Sequence, residues 1–340
     1  MEKVEKLLTV VVPVYKVEPY INKCLDSLLV PGEQLDKLEV IVVNDGTPDR
    51  SAEMAREYEI KYPGTFRVID KENGGHGSAW NRGLKEASGK YLRFLDSDDW
   101  FDTAEFSRQI AWLENVETDL VLSPFFRYHM DTNQIELVPL HSGGGNKTCS
   151  ADVFEWMLEK NEVAMFWGCV YKTEMLKKEL PLFMERVFYD DGILIIAPVL
   201  LAQKVSIYEG PVYYYLLGRP GQTMSEEIRS RNDHFWFQTH AQVYTFYLNH
   251  PSFVVGGERK SFVTRVLNRW FSEHFFKGVL SSEGCSAAKN ILLNWEKYFK
   301  SVSASLDLDF AKSRFYFLYR VLPWPLFYRI ARCYFAWKTK

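Results

Sequence analysis

Tyr91-Leu92-Arg93-Phe94-Leu95-Asp96-Ser97-Asp98-Asp99-Trp100 is a short apolar run that ends in three carboxylates within four positions. The run reads as a buried strand. The C-terminal end of a parallel strand is where open α/β sheets place their ligands. Packed carboxylates repel: two of them about 4 Å apart, at an effective dielectric near 20, cost on the order of 4 kcal/mol. A divalent cation removes that penalty. Hard oxygen ligands favour Mg²⁺ or Mn²⁺, and Mg²⁺ commonly joins one or two carboxylates to substrate phosphates. The pattern therefore points to a metal site for a nucleotide diphosphate. The competing reading is a strand-end turn in which Asp98 or Asp99 caps the following helix.

Upstream, Leu7 to Val14 (LLTVVVPV) is a β-branched run suited to a strand covered on both faces. Val17, Ile21, Cys24, Leu25 and Leu28 recur at helical spacing, and Pro31-Gly32 stops that helix. A second buried strand, Leu38 to Val43, ends in Asn44-Asp45-Gly46-Thr47. A helix over Ser51 to Tyr62, a strand over Phe66 to Ile69 and a helix from the Asn73-Gly74-Gly75-His76-Gly77 turn to Ala87 lead back to the quoted stretch. Strand and helix alternating in this way predict a mostly parallel sheet flanked by helices, an α/β fold.

Downstream the rhythm loosens. Strands are expected over Asp119 to Phe125, Phe166 to Tyr171, Lys204 to Tyr208 and Val212 to Leu217. His129 to Thr148 reads as a loop or irregular hairpin, Asp152 to Lys160 as a short helix, and Asp191 to Ala202 as an apolar helix. From about Glu226 the reading is helical: Phe235, Thr239, Val243 and Phe246 form one stripe, and Val263, Leu267, Trp270, Phe271 and Phe275 another. The boundary is placed at residue 225, giving a catalytic domain over 1–225 and a helical region over 226–340. No internal repeat is evident.

A chain of 340 residues with 47% hydrophobic residues has ample core. A net charge of −3 leaves no global basic footprint, so nucleic acid is not an expected partner. Five scattered cysteines without a CxxC pair imply neither a disulfide framework nor a zinc ribbon, and fit a cytoplasmic protein. Neither a signal-peptide pattern nor an apolar run of membrane-spanning length is seen. No GxGxxG follows the first strand and no GxxxxGK[ST] occurs, which argues against NAD enzymes and P-loop NTPases.

Pro13-Val14-Tyr15, VVNDGTPDRS (42–51), ENGGHGSAWNRGL (72–84) and GKYLRFLDSDDW (89–100), in that order, resemble the motif series of family 2 glycosyltransferases of the GT-A type. The match covers roughly residues 7–101, with weaker features to about 225. The resemblance implies a GT-A-like fold and a UDP-sugar donor held by Pro13, Tyr15, Asp45, Asn73, Gly75, Asp96, Ser97 and Arg219. It implies Mn²⁺ or Mg²⁺ on Asp98 and Asp96, with Asp99 able to serve instead of either or to lie on the acceptor side beside Trp167. In Phe188-Tyr189-Asp190-Asp191-Gly192 it places an acidic pair whose second member, Asp191, is the general base. From the residues alone, acids there also suit a helix N-terminus. Trp80 stands where the family commonly has Arg, and His76 or Arg82 is the expected substitute. The implied reaction is inverting transfer to a saccharide or polyprenyl-linked glycan in surface polysaccharide biosynthesis. The rivals are a sugar-phosphate nucleotidyltransferase and a catalytically silent glycan- or lipid-binding protein.

Residues 310–340 carry seven Lys or Arg, no acids and eleven aromatics. Leu326, Ile330, Tyr334 and Trp337 share one helical stripe, and Phe327, Ala331 and Phe335 another, flanked by Arg329, Arg332 and Lys338. A basic helix with an aromatic face suits a membrane interface. The opposing reading is a terminal helix packed on the protein or on a partner subunit. The expected location is therefore cytoplasmic, at the inner face of the cell membrane.

Overall fold

The computed structural model describes residues 5–140, 147–150, 165–222, 235–250, 284–302 and 314–338, together with 157, 163, 228, 232, 257, 261–263 and 265–266. The chain divides into two compact units, Met1–Arg219 and Pro220–Lys340, six residues before the expected boundary.

In the first unit, strand β1 (Leu8–Val14) is buried at every position. It lies between two parallel neighbours, β2 (Leu38–Asn44) and β4 (Tyr91–Phe94), and β3 (Phe66–Asp70) extends the sheet beyond β2. β-Branched side chains fill both faces here, as a doubly covered strand requires. Helices α1 (Ile21–Asp26), α2 (Gly32–Lys37), α3 (Ser51–Lys61) and α4 (His76–Glu86) connect these strands. Pro31, read as a stop, also opens α2, because a missing N–H is tolerated in a first turn. The polarity of the strand order reverses at β1, with β2 and β3 on one side and β4 on the other. That is a topological switch point, and the crevice beyond its strand ends is the expected ligand seat.

Past β4 the sheet is mixed. The full order is β3-β2-β1-β4-β10-β6-β11-β9, with β6 (Leu120–Leu122), β9 (Lys147–Ser150), β10 (Cys169–Lys172) and β11 (Lys204–Ile207). Strand β10 runs antiparallel to both β4 and β6. The strand expected over Asp119 to Phe125 is broken. Ser123 donates to the Gly168 carbonyl through both its N–H and its hydroxyl, at 2.8 Å each, and Pro124 follows. The chain then leaves for a second sheet, ordered β5-β12-β7-β8, of β5 (Trp100–Phe101), β7 (Phe125–His129), β8 (Gln134–Val138) and β12 (Tyr213–Leu217). The strand expected from Phe166 begins instead with a 3₁₀ turn, Phe166–Gly168. Helices α5 (Thr103–Leu113), α6 (Thr173–Glu179) and α7 (Gly192–Leu201) complete the unit. The helix expected over 152–160 lies outside the described residues except for Met157.

In the second unit α8 (Phe235–Asn249) buries Thr239 and Val243 as its stripe predicts. Of the stripe from Val263, residues 267–275 lie outside the described residues. Helices α9 (Cys285–Val302), α10 (Arg314–Val321) and α11 (Trp324–Lys338) are joined by an Arg320–Glu296 ion pair at 2.5 Å and a Trp324 indole bond to the Cys285 carbonyl at 2.7 Å. On α11 Phe327 and Ala331 are buried, whereas Leu326, Ile330 and Tyr334 are exposed. The side chains of Phe335 and Trp337 lie outside the described ones.

Candidate active site

Five described chain segments converge beyond the C-terminal ends of β1, β2 and β4. Backbone bonds tie β4 to β1 only as far as Leu95 N–H to the Val11 carbonyl, at 3.0 Å. Beyond it Pro13 has no N–H to offer, and β1 leads into Tyr15, whose ring is 43% exposed. At the end of β2, Asp45 is buried and saturated. It accepts from the N–H groups of Gly74 and Gly75 at 2.9 and 2.8 Å and from the Lys71 ammonium at 2.5 Å. Asn73 returns a bond to the Asp45 carbonyl at 2.9 Å. Asp45, Asn73 and Gly75, all expected at the donor, thus form one clamp. Gly75 sits at φ +88°, a conformation that L side chains rarely adopt.

That clamp delivers α4 with His76 as its first residue. The His76 ring spans two acids: Nδ1 lies 3.1 and 3.2 Å from the Asp190 carboxylate oxygens, and Nε2 lies 3.1 Å from Asp96 Oδ1. Burial alone would lower its pKa. The charges of Asp190 and Asp96 and their hydrogen bonds outweigh burial and hold it well above the ordinary value, so both nitrogens donate. Trp80, one turn on, is fully buried. It packs on His76 (4.1 Å between ring centroids), Phe94 (4.4 Å), Phe166 and Phe183 (5.1 Å each). Arg82 instead pairs with Glu86 at 3.2 Å on the exposed side of the helix, so of the two expected substitutes it is His76 that faces the acids.

After β4 the chain turns sharply, with Asp99 N–H donating to the Asp96 carbonyl at 3.0 Å. The three carboxylates part company here. Asp96 faces His76. Ser97 is buried. Asp98 is paired with the Arg219 guanidinium, and burial pushes its pKa up against the pull of that cation. Asp99 is 1% exposed and receives the Tyr213 phenol at 2.6 Å and the Leu216 N–H at 2.7 Å. Burial, then Asp98 and Asp96, raise it well above the carboxylate range. Asp99, expected on the acceptor side or at the metal, lies buried here and anchors β12. The helix-cap reading fails for both: α5 is capped by Asp102, which accepts from Glu105 N–H at 2.9 Å.

The second acidic pair reaches the same place along a pinned segment. Asn81 exchanges two bonds of 2.9 Å with the Phe183 backbone, and Arg186 N–H donates to the Gly74 carbonyl at 2.9 Å. Tyr189 then takes φ +63°, an uncommon conformation for a bulky residue, and swings Asp190 inward. Asp190 is 3% exposed; Asp191 is half-buried at the N-cap position of α7, where its side chain makes no capping bond. Burial, then the Asp190 charge, push Asp191 up to about 7, with His76 pulling the other way. Trp167 stacks on Tyr215 (4.1 Å, 20° between planes) and touches Phe125, so one of its faces is spent in packing.

Among the described residues no three His, Cys, Asp or Glu side chains gather as a metal cage. The donor set of Asp96 and Asp98 still fits Mg²⁺ or Mn²⁺. Both supply hard oxygens, and these ions commonly complete their shells with substrate phosphate and water. The Arg219 guanidinium beside Asp98 already meets that carboxylate's demand for positive charge.

The fold defined here is an α/β sheet with a switch point whose two lips carry acids. The chain belongs to glycosyl transferase family 2, whose model matches residues 9–180. An uncharacterized glycosyltransferase, EpsJ of Bacillus subtilis, is 33% identical over 62% of this chain and 60% of its own length. The poly(ribitol-phosphate) beta-N-acetylglucosaminyltransferase TarS of Staphylococcus aureus is 24% identical over 67% of this chain and 38% of its own. The chain thus spans no more than about 60% of either relative. The crystal structure of TarS residues 1–349 in complex with UDP-GlcNAc superposes with a TM-score of 0.69 at 20% identity, covering 96% of this chain and 90% of that one. This likeness shows the GT-A fold.

Proposed function

We propose that the chain transfers a hexosyl or N-acetylhexosaminyl group from a UDP-sugar, with inversion, to a saccharide or polyprenyl-linked saccharide acceptor in surface polysaccharide synthesis. The observation that carries this reading is the pairing of acids across one crevice: Asp96, from the turn after β4, and Asp190, just before α7, meet at His76, with Asp98 and Asp191 beside them in the chain. Tyr15, exposed beside the clamped Asp45, offers a ring for the base. Family membership and the UDP-GlcNAc bound to TarS support the donor class.

Asp191 accepts the acceptor hydroxyl's proton as that oxygen attacks the anomeric carbon. The bond to the UDP oxygen breaks on the opposite face, so an α-linked donor gives a β-linked product. A base near neutrality suits this task, and such positioning contributes about 10²–10⁴-fold. A divalent cation on Asp98 and Asp96, when bound, would take up charge developing on the leaving diphosphate. Arg219 leaves Asp98 for the diphosphate when donor enters.

The exposed Leu326, Ile330 and Tyr334, in an acid-free basic segment, support contact with the membrane that holds the acceptor, at its cytoplasmic face. The test is a UDP-sugar screen with Mg²⁺ or Mn²⁺, before and after chelation, reading free UDP and glycosylated product. UDP release without pyrophosphate supports transfer. Pyrophosphate release would make the chain a nucleotidyltransferase, and binding without turnover would make it a silent glycan-binding protein.

A further inference from the structure

His76, Asp96 and Asp190 come from three separate elements, 20 and 114 residues from the histidine, and meet at one imidazole. The ring is held from behind. Trp80 packs against it and touches Phe94, two residues before Asp96, and Phe183, seven before Asp190. The same indole therefore braces both acid-bearing segments. Asp190 is also confined from the helix side: a Cβ on Gly77 would lie 2.6 Å from its Oδ2. Asp191 follows Asp190 directly in the chain, and its side chain makes no capping bond.

We propose that His76 is a positioning residue that sets the distance and angle between the donor-side carboxylate Asp96 and the acid pair Asp190–Asp191, and so aims the base at the acceptor hydroxyl. The inference rests on the transferase reading above. Among the described hydrogen bonds, this ring is what links the Asp96 and Asp190 carboxylates, while Phe94 and Phe183 pack edge to face at 5.6 Å behind it. Without the imidazole, the Asp190 carboxylate keeps its burial but loses its described hydrogen-bond partner, and it shifts or takes up water. A displacement of about 1 Å in such a group costs on the order of 10²-fold in rate. Tyr15 and the Asp45 carboxylate, two of the expected donor contacts, make no described bond to the ring, so most of the donor's affinity is expected to survive.

The two arms of the ring can be removed separately. An asparagine amide reaches roughly where Nδ1 stands, so His76→Asn keeps the Asp190 arm. His76→Gln reaches towards Nε2 and keeps only the Asp96 arm. UDP affinity by calorimetry, kcat and KM for transfer, and Tm are measured for wild type, His76→Asn, His76→Gln and His76→Ala. The expected result is UDP affinity within about threefold for all. The kcat order is wild type, then Asn, then Gln and Ala together, with Ala down by roughly 10²-fold. Unchanged kcat in Ala overturns the proposal. So does a loss in UDP affinity as large as the loss in kcat, which would make His76 a donor ligand. Equal kcat in Asn, Gln and Ala at equal Tm also overturns it, since a merely structural side chain shows no arm dependence. Should His76→Ala not fold, the Asn and Gln pair carries the comparison. A wild type that releases no UDP from any donor refutes the transferase reading itself, a result separate from all of these.

Discussion

The Tyr213 hydroxyl reaches across 114 residues to Asp99, donating to its Oδ2 at 2.6 Å while accepting the Asp96 N–H at 3.2 Å. One phenol thus fixes both ends of the Asp96–Asp99 turn to β12. Tyr213→Phe keeps the ring packing and removes only the hydroxyl. It should cost about 1–3 kcal/mol, the usual penalty for depriving a buried polar group of its partner. At this size each kcal/mol is about 2–4 °C in Tm, which thermal unfolding resolves. An unchanged Tm would mean that the turn stands without β12.

Asp191, pushed up to about 7, predicts an acidic limb in the kcat profile. Below that pH the carboxyl holds its own proton and accepts none, so kcat rises about tenfold per pH unit and then levels off. Asp191→Asn should remove the limb and about 10²–10⁴-fold of rate. Stability runs the opposite way. Between the ordinary aspartate range and about 7 the folded chain keeps a proton that the unfolded chain has released, so this residue's contribution to stability falls as pH rises. The Asn variant should show a flatter stability profile in that window.

Two glycines of α4 separate site geometry from packing. A Cβ on Gly77 would stand 2.3 Å from the Met184 carbonyl and 2.6 Å from Asp190 Oδ2. On Gly83 it would stand 2.1 Å from Val11 Cγ1, against the core strand. Each Ala substitution should destabilise by about 1–3 kcal/mol. Only Gly77→Ala should also lower kcat per folded molecule, because only there does the displaced neighbour include a site carboxylate. Equal specific activities in the two variants would contradict this.

On α11 the test is addressed to one face. Leu326→Glu with Ile330→Glu should abolish sedimentation with phosphatidylglycerol vesicles while leaving Tm near wild type, since both side chains are already exposed. Arg329→Ala should weaken binding roughly fivefold, the equivalent of about 1 kcal/mol per basic residue near an anionic surface. Binding that survives the double charge insertion would locate the contact elsewhere.

Much of the first unit is legible before any coordinates. Strands covered on both faces are written in apolar runs: β1 and β2 are rich in β-branched residues, and β4, Tyr91-Leu92-Arg93-Phe94, is buried at every position. Just past their ends stand Tyr15, Asp45 and Asp96, which are visible in the sequence because each follows an apolar run. The partner of each acid is not legible. Asp98 and Asp99 are adjacent and chemically identical, yet one meets Arg219 and the other Tyr213 and Leu216. That choice is made by β12, which arrives more than a hundred residues later and leaves no local period. His76 is readable as a stand-in for the family's Arg, because Trp80 occupies that place, but the two acids it meets lie on other elements and are not readable. The break at Ser123-Pro124 was visible as a proline, but only the Gly168 carbonyl explains why the chain departs there for a second sheet.

Pro13 has a consequence for energetics. Val11 directs its carbonyl towards β4 and Val14 directs its own towards β2, so by alternation the missing N–H of Pro13 lies on the β4 side. One rung of the ladder between those strands is therefore missing under all conditions. The gap between the two strand ends is thus written into the covalent chain, and no ligand is needed to hold it open.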